Sequence, residues 1–233
     1  MPPPPTLEQV QRESRERLHP SLRNPNWLIL RRRRRIFEAG LDRLPKSGLR
    51  VLDVGGRLQP YRPLLEARTR SYVAVDLQTT PLVNVGAAAE ALPFRDEQFD
   101  FVICTQVLEY LPNPAAAVAE IRRVLCKGGH LFLSAPSVFP RTSEKECWRF
   151  LPEGLRHLLR EFESVEVRAE GNSLAGFFRT CNVFLTASFR PRVLAPLWRW
   201  TFVPFLNAAG CMVEGLAGES SDFAANYSVW ARK

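Results

Sequence analysis

The chain has 233 residues, of which 45% are apolar and 24% are charged, values typical of a globular protein. This composition excludes a wholly disordered or fibrous chain, and no uninterrupted apolar stretch reaches the ~18 residues of a transmembrane helix. The start, Met1–Pro5, lacks the apolar segment and cleavage site of a secretory signal.

The net charge of +8 is concentrated near the amino terminus. Residues 1–50 hold 12 Lys/Arg and 5 Asp/Glu, whereas residues 51–233 hold 20 and 19. Such an asymmetry attracts phosphate-bearing partners or anionic membranes. A solvated, arginine-rich helix face is the alternative interpretation, so the charge alone identifies no partner.

The cysteines and histidines are too scattered to form a recognisable metal motif. The five cysteines lie at least 21 residues apart, and no CxxC or Cys/His ligand spacing occurs. We therefore predict neither a metal site nor a disulfide framework. Reduced thiols predict a cytoplasmic location, with attachment to the inner face of the membrane as a further hypothesis.

Two helices are predicted ahead of residue 49. The first runs from Thr6 to Leu18, and the second runs from Asn26 to Leu44 and contains the run Arg31–Arg35. Five adjacent arginines point in every direction around a helix. Some of them must therefore lie near the protein body.

From residue 49 onward, short β-rich segments alternate with helical ones. Strands are predicted within Arg50–Gly56, Ser71–Asp76, Leu82–Val85, Phe99–Cys104, His130–Ala135, Ser164–Ala169 and Tyr227–Ala231. Helices are predicted at Tyr61–Ala67, from the cap Asn113 to a stop at Gly128–Gly129, and at Pro152–Arg160. This alternation predicts an α/β fold with a mostly parallel sheet and helices on both faces.

Residues after the first two strands predict a nucleoside-containing cofactor. Ligands of open α/β sheets bind at the carboxyl ends of the strands, where the strand order reverses. Asp53, Gly55, Gly56 and Arg57 surround the end of the first strand, and Asp76 ends the second, 21 residues past Gly55. Small residues let a ligand approach the backbone, and a carboxylate about 20 residues on can accept hydrogen bonds from a ribose diol. The third glycine of the dinucleotide fingerprint is absent.

A series of motifs follows in order between Leu49 and Leu159. They are Val51-Leu52-Asp53-Val54-Gly55, Val75-Asp76-Leu77, Ala89-Glu90-Ala91-Leu92-Pro93-Phe94, Phe99-Asp100-Phe101-Val102, Gln106–Leu111, Glu120–Leu125, Gly128-Gly129 and Trp148-Arg149-Phe150. This succession resembles the class I S-adenosylmethionine-dependent methyltransferases, in their small-molecule, type 11-like branch. The resemblance implies methyl transfer from S-adenosylmethionine to a small molecule.

The resemblance also implies a fold, while charge and composition predict a division of the chain. The fold is a Rossmann-like, doubly wound, mostly parallel seven-stranded sheet whose last strand is antiparallel. Residues 1–48 form a basic helical extension, and residues 49–233 form the methyltransferase-like domain. Within that domain, the aromatic-rich residues 173–218 form a helical insertion that is either a lid over the acceptor or an interfacial surface on anionic lipid.

Cofactor contacts carry over residue by residue. The resemblance places Gly55 and Gly56 under the methionine and ribose, and Asp76 on the ribose hydroxyls with Leu77 against adenine. Ala89 and Glu90 are placed at the adenine edge, and Thr105 and Gln106 at the methionine side and the methyl group.

Several positions depart from the family pattern, among them Cys126-Lys127, which replaces a Lys-Pro pair. Arg57 replaces a glycine and either contacts the cofactor carboxylate or blocks the site. Ala88 replaces an acid often found beside the adenine, and Tyr110 stands where a histidine is common. Tyr110 is nevertheless the candidate catalytic contact with the acceptor.

Trp148 and Arg149 are the candidate substrate-binding residues. An indole and a guanidinium suit a sugar ring or an anionic acceptor, whereas a loop anchor is the alternative. Together with residues 173–218, they favour a sugar acceptor, including a lipid-linked glycan.

Two other functions remain open at this stage. An RNA methyltransferase could use the amino-terminal arginines, although the near-neutral body disfavours nucleic acid as a partner. A non-catalytic binding module with a degenerate cofactor loop would explain Arg57 and Ala88. The oligomeric state is not predicted.

Overall fold

The computed structural model describes residues 4–141, 143–188, 195–214 and 220–233. In these residues the helices are α1 (Leu7–Leu18), α2 (Trp27–Gly40), α3 (Arg62–Leu65), α4 (Pro114–Val124), α5 (Pro152–Leu158), α6 (Ser173–Ser188) and α7 (Ala195–Glu214). The strands are β1 (Leu49–Val54), β2 (Thr69–Val75), β3 (Phe99–Thr105), β4 (Leu125–Pro136), β5 (Ser164–Ala169) and β6 (Asn226–Arg232).

The strands form one sheet in the order β2-β1-β3-β4-β6-β5. Neighbours from β2 to β4 pair in parallel, and β6 lies antiparallel between β4 and β5. The strand order reverses between β1 and β3, which is where a doubly wound sheet opens a ligand crevice. The predicted fold class and the antiparallel last strand are therefore confirmed.

The predicted strand at residues 82–85 is wrong, which leaves six strands in the sheet. This segment makes only an isolated parallel bridge between Val75 and Val85. The side-chain oxygen of Asn84 accepts the N–H of Ala74 at 2.8 Å, so a side chain takes a position that a strand backbone would occupy. A local side-chain bond of this kind competes with the strand ladder.

The predicted end of α4 at Gly128–Gly129 is also wrong, because the helix ends at Val124 and β4 begins at once. A Cβ on Gly129 would lie 2.9 Å from the carbonyl oxygen of Cys126 and 3.1 Å from that of Asp100. Glycine is needed because β3 and β4 approach closely here, at an irregular step in their register.

The amino-terminal segment packs on the protein body. α1 begins with a capping box between Thr6 and Gln9, and it buries only Val10 and Leu18. α2 buries the residues Leu28, Ile29, Leu30, Arg33 and Phe37. The arginines of the run point in different directions around α2, as their helical spacing requires. Arg33 is buried in an ion pair with Glu170, and Arg32 pairs with Glu214. The boundary at residue 48 stays a prediction.

An aromatic cluster fixes α2 against the sheet. Phe37 of α2 stacks on Tyr61 at 4.5 Å and meets Phe132 edge-on at 4.9 Å, while Phe101 stacks on Trp230 at 5.5 Å. The indole N–H of Trp230 donates to the carbonyl of Ile36 at 3.1 Å. Aromatic pairs of this kind add about 0.5–1.5 kcal/mol beyond their buried area.

Gly40 lies at the end of α2 against this cluster, and its replacement should be costly. A Cβ on Gly40 would lie 2.1–2.5 Å from three atoms of the Trp230 indole. We expect Gly40→Ala to lower the free energy of unfolding by about 1–3 kcal/mol through overpacking. The control is Gly154→Ala in α5, where a Cβ meets nothing within 4 Å. It should stabilise by up to ~1 kcal/mol. Chemical denaturation measures both, and equal effects would contradict the packing argument.

The insertion before β6 contains two helices that pair in opposite directions. Asn182 of α6 donates to Asn207 of α7 at 3.0 Å, and a Cβ on Gly210 would touch Phe178. No helix of the described part of the chain is long and apolar enough to cross a membrane. The predicted insertion also includes residues 189–194 and 215–219, which lie outside the described residues.

Candidate active site

The turn after β1 requires glycine at two successive positions. The backbone N–H groups of Gly55 and Gly56 both donate to the carbonyl of Val75, at 2.8 and 3.2 Å, and Gly55 has φ +75°. A Cβ on Gly55 would lie 2.3 Å from the Val107 side chain, and one on Gly56 would lie 2.7 Å from the carbonyl of Asp53. Neighbouring protein atoms occupy both Cβ positions, so only glycine lets the turn stay close to the ends of β1 and β2.

Arg57 follows this turn and extends toward the loop after β2. Its Nη1 donates to the side-chain oxygen of Gln78 at 3.3 Å, and its carbonyl accepts the hydroxyl of Thr80 at 2.9 Å. The guanidinium makes no ion pair with a carboxylate among the described residues. It therefore remains available to an anionic group at this edge of the sheet.

Asp76, directly after β2, presents a carboxylate beside the glycine turn. One oxygen accepts the backbone N–H of Gln78 at 2.7 Å, which orients the side chain and leaves its other oxygen available. The next side chain, Leu77, is 73% exposed. In the segment before β3, Ala89 is buried and Glu90 is half-buried. This arrangement offers a hydrogen-bond acceptor next to an open apolar side chain.

Thr105 and Gln106 follow the same edge of the sheet at the end of β3. Thr105 pairs with Ser134 of β4. Gln106 has φ +56°, and its backbone and side-chain nitrogens donate to the carbonyl and hydroxyl of Ser134, at 2.8 and 3.3 Å. A non-glycine residue held in this backbone region is a common feature of functional sites.

Asp53 lies beneath the glycine turn and is buried. The Tyr72 hydroxyl donates to its Oδ2 at 2.6 Å. Burial raises the pKa of Asp53 to about 7, the Tyr72 bond opposes this shift, and the negative charge of Asp76 adds to it. Asp53 therefore supports the turn and ionises near neutral pH.

We expect ionisation of Asp53 to lower the free energy of unfolding of the unliganded protein as pH rises from about 4 to 7. The folded state keeps the Asp53 proton up to about 7, whereas the unfolded state loses it at the ordinary carboxyl pKa. In this window the folded state binds more protons. Asp53→Asn should consequently stabilise the protein at pH 8, by about 1–3 kcal/mol, and have little effect near pH 4.

Asp100→Asn is the matched control for that prediction. Hydrogen bonds from Arg50 hold the pKa of Asp100 below its usual range, so this substitution should destabilise the protein above pH 4 instead. Denaturant titrations at both pH values test the pair. Two variants with the same pH dependence would contradict the assignment.

A cavity of about 800 Å³ opens next to Gln106. Its walls come from α1, α2, the residues after β3 and β4, the loop before α5, and α6. The lining residues are Arg12, Glu13, Glu16, Arg17, Asn24, Asn26, Ile29, Leu30, Arg33, Gln106, Glu109, Tyr110, Pro136, Phe139, Glu146, Arg149, Arg179 and Val183.

Glu109 is the most buried carboxyl group of this cavity. Glu109 is only 3% exposed, and its Oε2 accepts no hydrogen bond from the described residues. Burial raises the pKa of Glu109 to about 7, and its own backbone N–H and the charge of Arg33 partly oppose the shift. Groups with pKa values near 7 are suited to proton transfer at neutral pH.

Tyr110 lies at the rim of the cavity. The residue is 41% exposed, and its hydroxyl donates to Glu146 at 3.4 Å. Burial, followed by the charges of Glu109 and Glu146, raises the pKa of Tyr110. The sequence drew attention to Tyr110, but Glu109 is the deeper and more strongly perturbed group.

The two candidate substrate-binding residues are placed differently. The indole N–H of Trp148 donates to the carbonyl of Leu111 at 2.7 Å, and Trp148 is not among the lining residues. Arg149 lines the cavity, where it pairs with Glu146 at 2.5 Å and donates to the carbonyls of Phe139 and Pro140. Trp148 thus anchors its loop, as the alternative interpretation predicts, while Arg149 faces the cavity.

Sequence reasoning did not find Arg17, Arg33 and Arg179 as cavity residues. Arg33 belongs to the arginine run. Its helical spacing from the apolar residues of α2 was the signal that could have identified it as a buried arginine. Among the described residues, no cluster of three or more His, Cys, Asp or Glu could hold a metal ion.

This is the architecture of a Rossmann-like protein with a nucleotide-type crevice at its strand-order switch. Residues 52–133 match a family model described as a methyltransferase domain. The ubiquinone biosynthesis O-methyltransferase of Pseudomonas putida (strain F1) is 26% identical over 118 residues, which are 43% of this chain and 50% of that protein. The chain thus spans about half the length of this curated relative.

Two solved structures share the fold. The [4+2]-cyclase SpnF has a TM-score of 0.56 at 20% identity, covering 100% of this chain and 98% of its own. An S-adenosylmethionine-dependent methyltransferase from Archaeoglobus fulgidus has a TM-score of 0.51 at 16% identity, covering 94% and 97%. Residues 52–133, about a third of the chain, are thus similar to a methyltransferase domain. Because one structural relative is a cyclase, the fold alone does not define the reaction.

The cofactor implied by this domain is S-adenosylmethionine, and the residues present fit it. Neighbouring protein atoms occupy the Cβ positions of both glycines, so the turn stays compact beside Asp76, which has an available oxygen for the ribose. The exposed Leu77 offers an apolar surface for adenine. Arg57 points across to Gln78 and does not fold back over the glycines, which argues against a closed site.

Proposed function

We propose that this chain transfers a methyl group from S-adenosylmethionine to a small-molecule acceptor held in the 800 Å³ cavity. One observation carries the proposal: Gln106, at the end of β3, borders both the cofactor edge of the sheet and the cavity. A reacting group in the cavity would therefore lie next to the methionine end of the cofactor. Alignment of this kind is the main catalytic requirement, contributing about 7–11 kcal/mol in favourable cases.

In this proposal each cofactor-binding residue has a separate role. Gly55 and Gly56 allow close approach, Asp76 holds the ribose hydroxyls, and Leu77 packs on adenine. Ala89 and Glu90 border the adenine edge. Thr105 and Gln106 face the methionine side. When bound, the cofactor supplies an activated methyl group on sulfur.

Arg57 is assigned to the carboxylate of the cofactor. Its guanidinium has no carboxylate partner among the described residues; it now reaches Gln78 after β2, so this contact requires the side chain to turn toward the methionine end. A guanidinium suits a carboxylate because two parallel N–H groups match its two oxygens. Of the two interpretations that the sequence leaves open, a contact is favoured over a blockage.

Glu109 is assigned as the proton acceptor for the group that is methylated. Transfer to a hydroxyl leaves a proton that a nearby base must take, and Glu109 is buried in the same cavity with a free oxygen. Tyr110, at the rim, is assigned an acceptor contact and not the base, because its pKa is raised and it is hydrogen-bonded to Glu146.

The chemical class of the acceptor is proposed from one residue of the cavity. Arg149 lines the cavity and fits an oxygen-rich acceptor, such as a sugar or a lipid-linked glycan. Trp148, held to Leu111, gives no such support. The Pseudomonas relative is named for ubiquinone biosynthesis, so a hydroxylated aromatic acceptor belongs in the same screen.

We propose that the protein binds peripherally to the inner face of an anionic membrane. α6 and α7 expose Phe184, Trp200 and Phe205 by 60–67%, and Arg23 stacks on Trp200 at 3.5 Å. Exposed aromatics beside arginines suit a lipid interface. Flotation with phosphatidylglycerol vesicles should carry the protein, and Phe184→Ser with Phe205→Ser should reduce it. Absence of flotation for the unaltered chain would end this part of the proposal.

The function itself is tested by calorimetry and turnover. Purified protein should bind S-adenosylmethionine and S-adenosylhomocysteine at micromolar concentrations, and labelled methyl groups should move to an acceptor in a screen that starts with nucleotide sugars. Folded protein without affinity for either compound would support the binding-module alternative. Affinity without methyl transfer to any acceptor would favour a different reaction on this fold. Salt-sensitive RNA binding lost on deletion of residues 1–48 would revive the RNA alternative.

A further inference from the structure

Arg179 of α6 is a cationic side chain buried in the wall of the cavity. The residue is only 6% exposed. Its Nε donates to the side-chain oxygen of Asn26 and its Nη1 to that of Asn226, both at 3.1 Å. The guanidinium carbon lies 3.6 Å from the centre of the Phe139 ring. These contacts fix the orientation of the guanidinium and cover one of its faces.

Arg179 differs from the neighbouring arginines in its partners. Arg33 pairs with Glu170 at 2.8 Å, and Arg149 pairs with Glu146 at 2.5 Å. Arg179 makes no ion pair with any described residue, since both of its side-chain partners are neutral amides. Neutral partners satisfy N–H groups but do not offset a buried charge, which is costly to leave uncompensated.

Arg179 shares the cavity wall with other arginines, among them Arg17 and Arg33. Burial, then the charge of Arg33, lowers the pKa of Arg179 to about 9 against an opposing attraction from Glu170, so the group is still cationic at neutral pH. The guanidinium of Arg17 in α1 also makes no hydrogen bond or ion pair with the described residues, and burial, then Arg33, lowers its pKa. Four carboxylates line the cavity: Glu146 pairs with Arg149, Glu109 ionises only near pH 7, and Glu13 and Glu16 are exposed on α1.

We propose that Arg179 is the recognition site for an acidic group, a carboxylate or a phosphate, on the acceptor. This inference rests on the proposed function, because it identifies the cavity as the acceptor site. Nη2 of Arg179 has no hydrogen bond to the described residues, so its two N–H groups are free for an oxyanion. The acceptor would then carry an acid at Arg179 and present its reacting group to Gln106 and Glu109 in the same cavity.

The competing explanation is structural, because Arg179 also joins α6 to Asn26 and Asn226. A structural arginine would stabilise the fold without responding to anions. A cofactor-binding arginine would hold the carboxylate of S-adenosylmethionine instead. The test must therefore report on anion binding, cofactor binding and folding separately.

The experiment follows thermal unfolding of the full chain in sodium phosphate and in sodium acetate, with chloride holding ionic strength constant. Calorimetry with S-adenosylhomocysteine is run in parallel. We expect a saturable rise in Tm with phosphate, acetate or both, and the stronger response identifies the acid type. Arg179→Gln should weaken the anion response tenfold or more and leave the affinity for S-adenosylhomocysteine unchanged. Arg156→Gln in α5, at a solvent-exposed position, is the matched control and should change neither.

Three results would overturn the proposal. They are no anion response beyond chloride in the unaltered chain, an unchanged response in Arg179→Gln, and loss of S-adenosylhomocysteine affinity in that variant. If Arg179→Gln does not fold, Arg179→Lys keeps the charge but lacks the planar fork, and it should still weaken the phosphate response about fivefold. An anion response in a chain that does not bind S-adenosylhomocysteine would refute the proposed function and leave an anion site at Arg179.

Discussion

Asp76→Ala is expected to weaken binding of S-adenosylhomocysteine by about 2–4 kcal/mol, roughly 30- to 700-fold. The carboxylate has one oxygen on the N–H of Gln78 and another available at the cofactor edge. Removing it deprives both ribose hydroxyls of a charged acceptor. Calorimetric titration with S-adenosylhomocysteine measures the loss directly, without any knowledge of the acceptor.

Asp76→Asn separates the two parts of this effect. An asparagine can still accept the N–H of Gln78 and preserve the turn, but it has no charge and only one acceptor oxygen. We expect it to bind more weakly than the unaltered chain and at least as well as Asp76→Ala. Glu66→Ala, at an exposed carboxylate near β2, should bind normally. Normal affinity in Asp76→Ala would remove Asp76 from the cofactor site.

Glu109→Gln is expected to lower kcat by a factor of about 10²–10⁴, the usual contribution of a general base. The amide is nearly the same size and keeps the packing, but it cannot take a proton. Affinity for S-adenosylhomocysteine should not change, because Glu109 lies in the acceptor cavity. Glu13→Gln, an exposed carboxylate at the rim of the same cavity, is the control and should retain activity.

The pH profile gives an independent check on Glu109. Only the ionised carboxylate accepts a proton, so kcat/KM should rise through pH about 7 and then level off. The charges that act on this ionisation are those of Arg33 and Arg149, which lower the pKa of Glu109, and of Glu146, which raises it. Glu109→Gln should remove the step at pH 7. An unchanged profile in the variant would assign the titration to another group.

The sequence predicted the parts of the structure that depend on local pattern. Alternating strands and helices, the glycine turn and the acid after β2 each follow from short-range preferences, and the structure has them. The strand at residues 82–85 failed because Asn84 bonds to β2 through its side chain, a contact that β-propensity does not describe. Gly128–Gly129 was interpreted as a helix stop, although close approach of two strands is what requires glycine there.

The acceptor cavity was harder to predict because its walls are distant in the chain. Arg179 meets Asn26 across 153 positions, and Arg33 meets Glu170 across 137. No local pattern marks an arginine as buried, since most arginines are exposed. Glu109 was visible in the sequence as a residue after a strand. Its burial and free oxygen, which distinguish it from Tyr110, depend on packing that only the structure supplies.

The placement of α1 has a consequence for how acceptor preference could change in evolution. α1 contributes four charged residues to the cavity wall, yet it buries only Val10 and Leu18 and holds none of the cofactor residues. Substitutions along its inner face would alter the chemistry of the wall at little cost to the sheet. A lineage carrying this domain could thus acquire new acceptors by varying its first twenty residues, while the inherited machinery for handling the methyl donor stays intact.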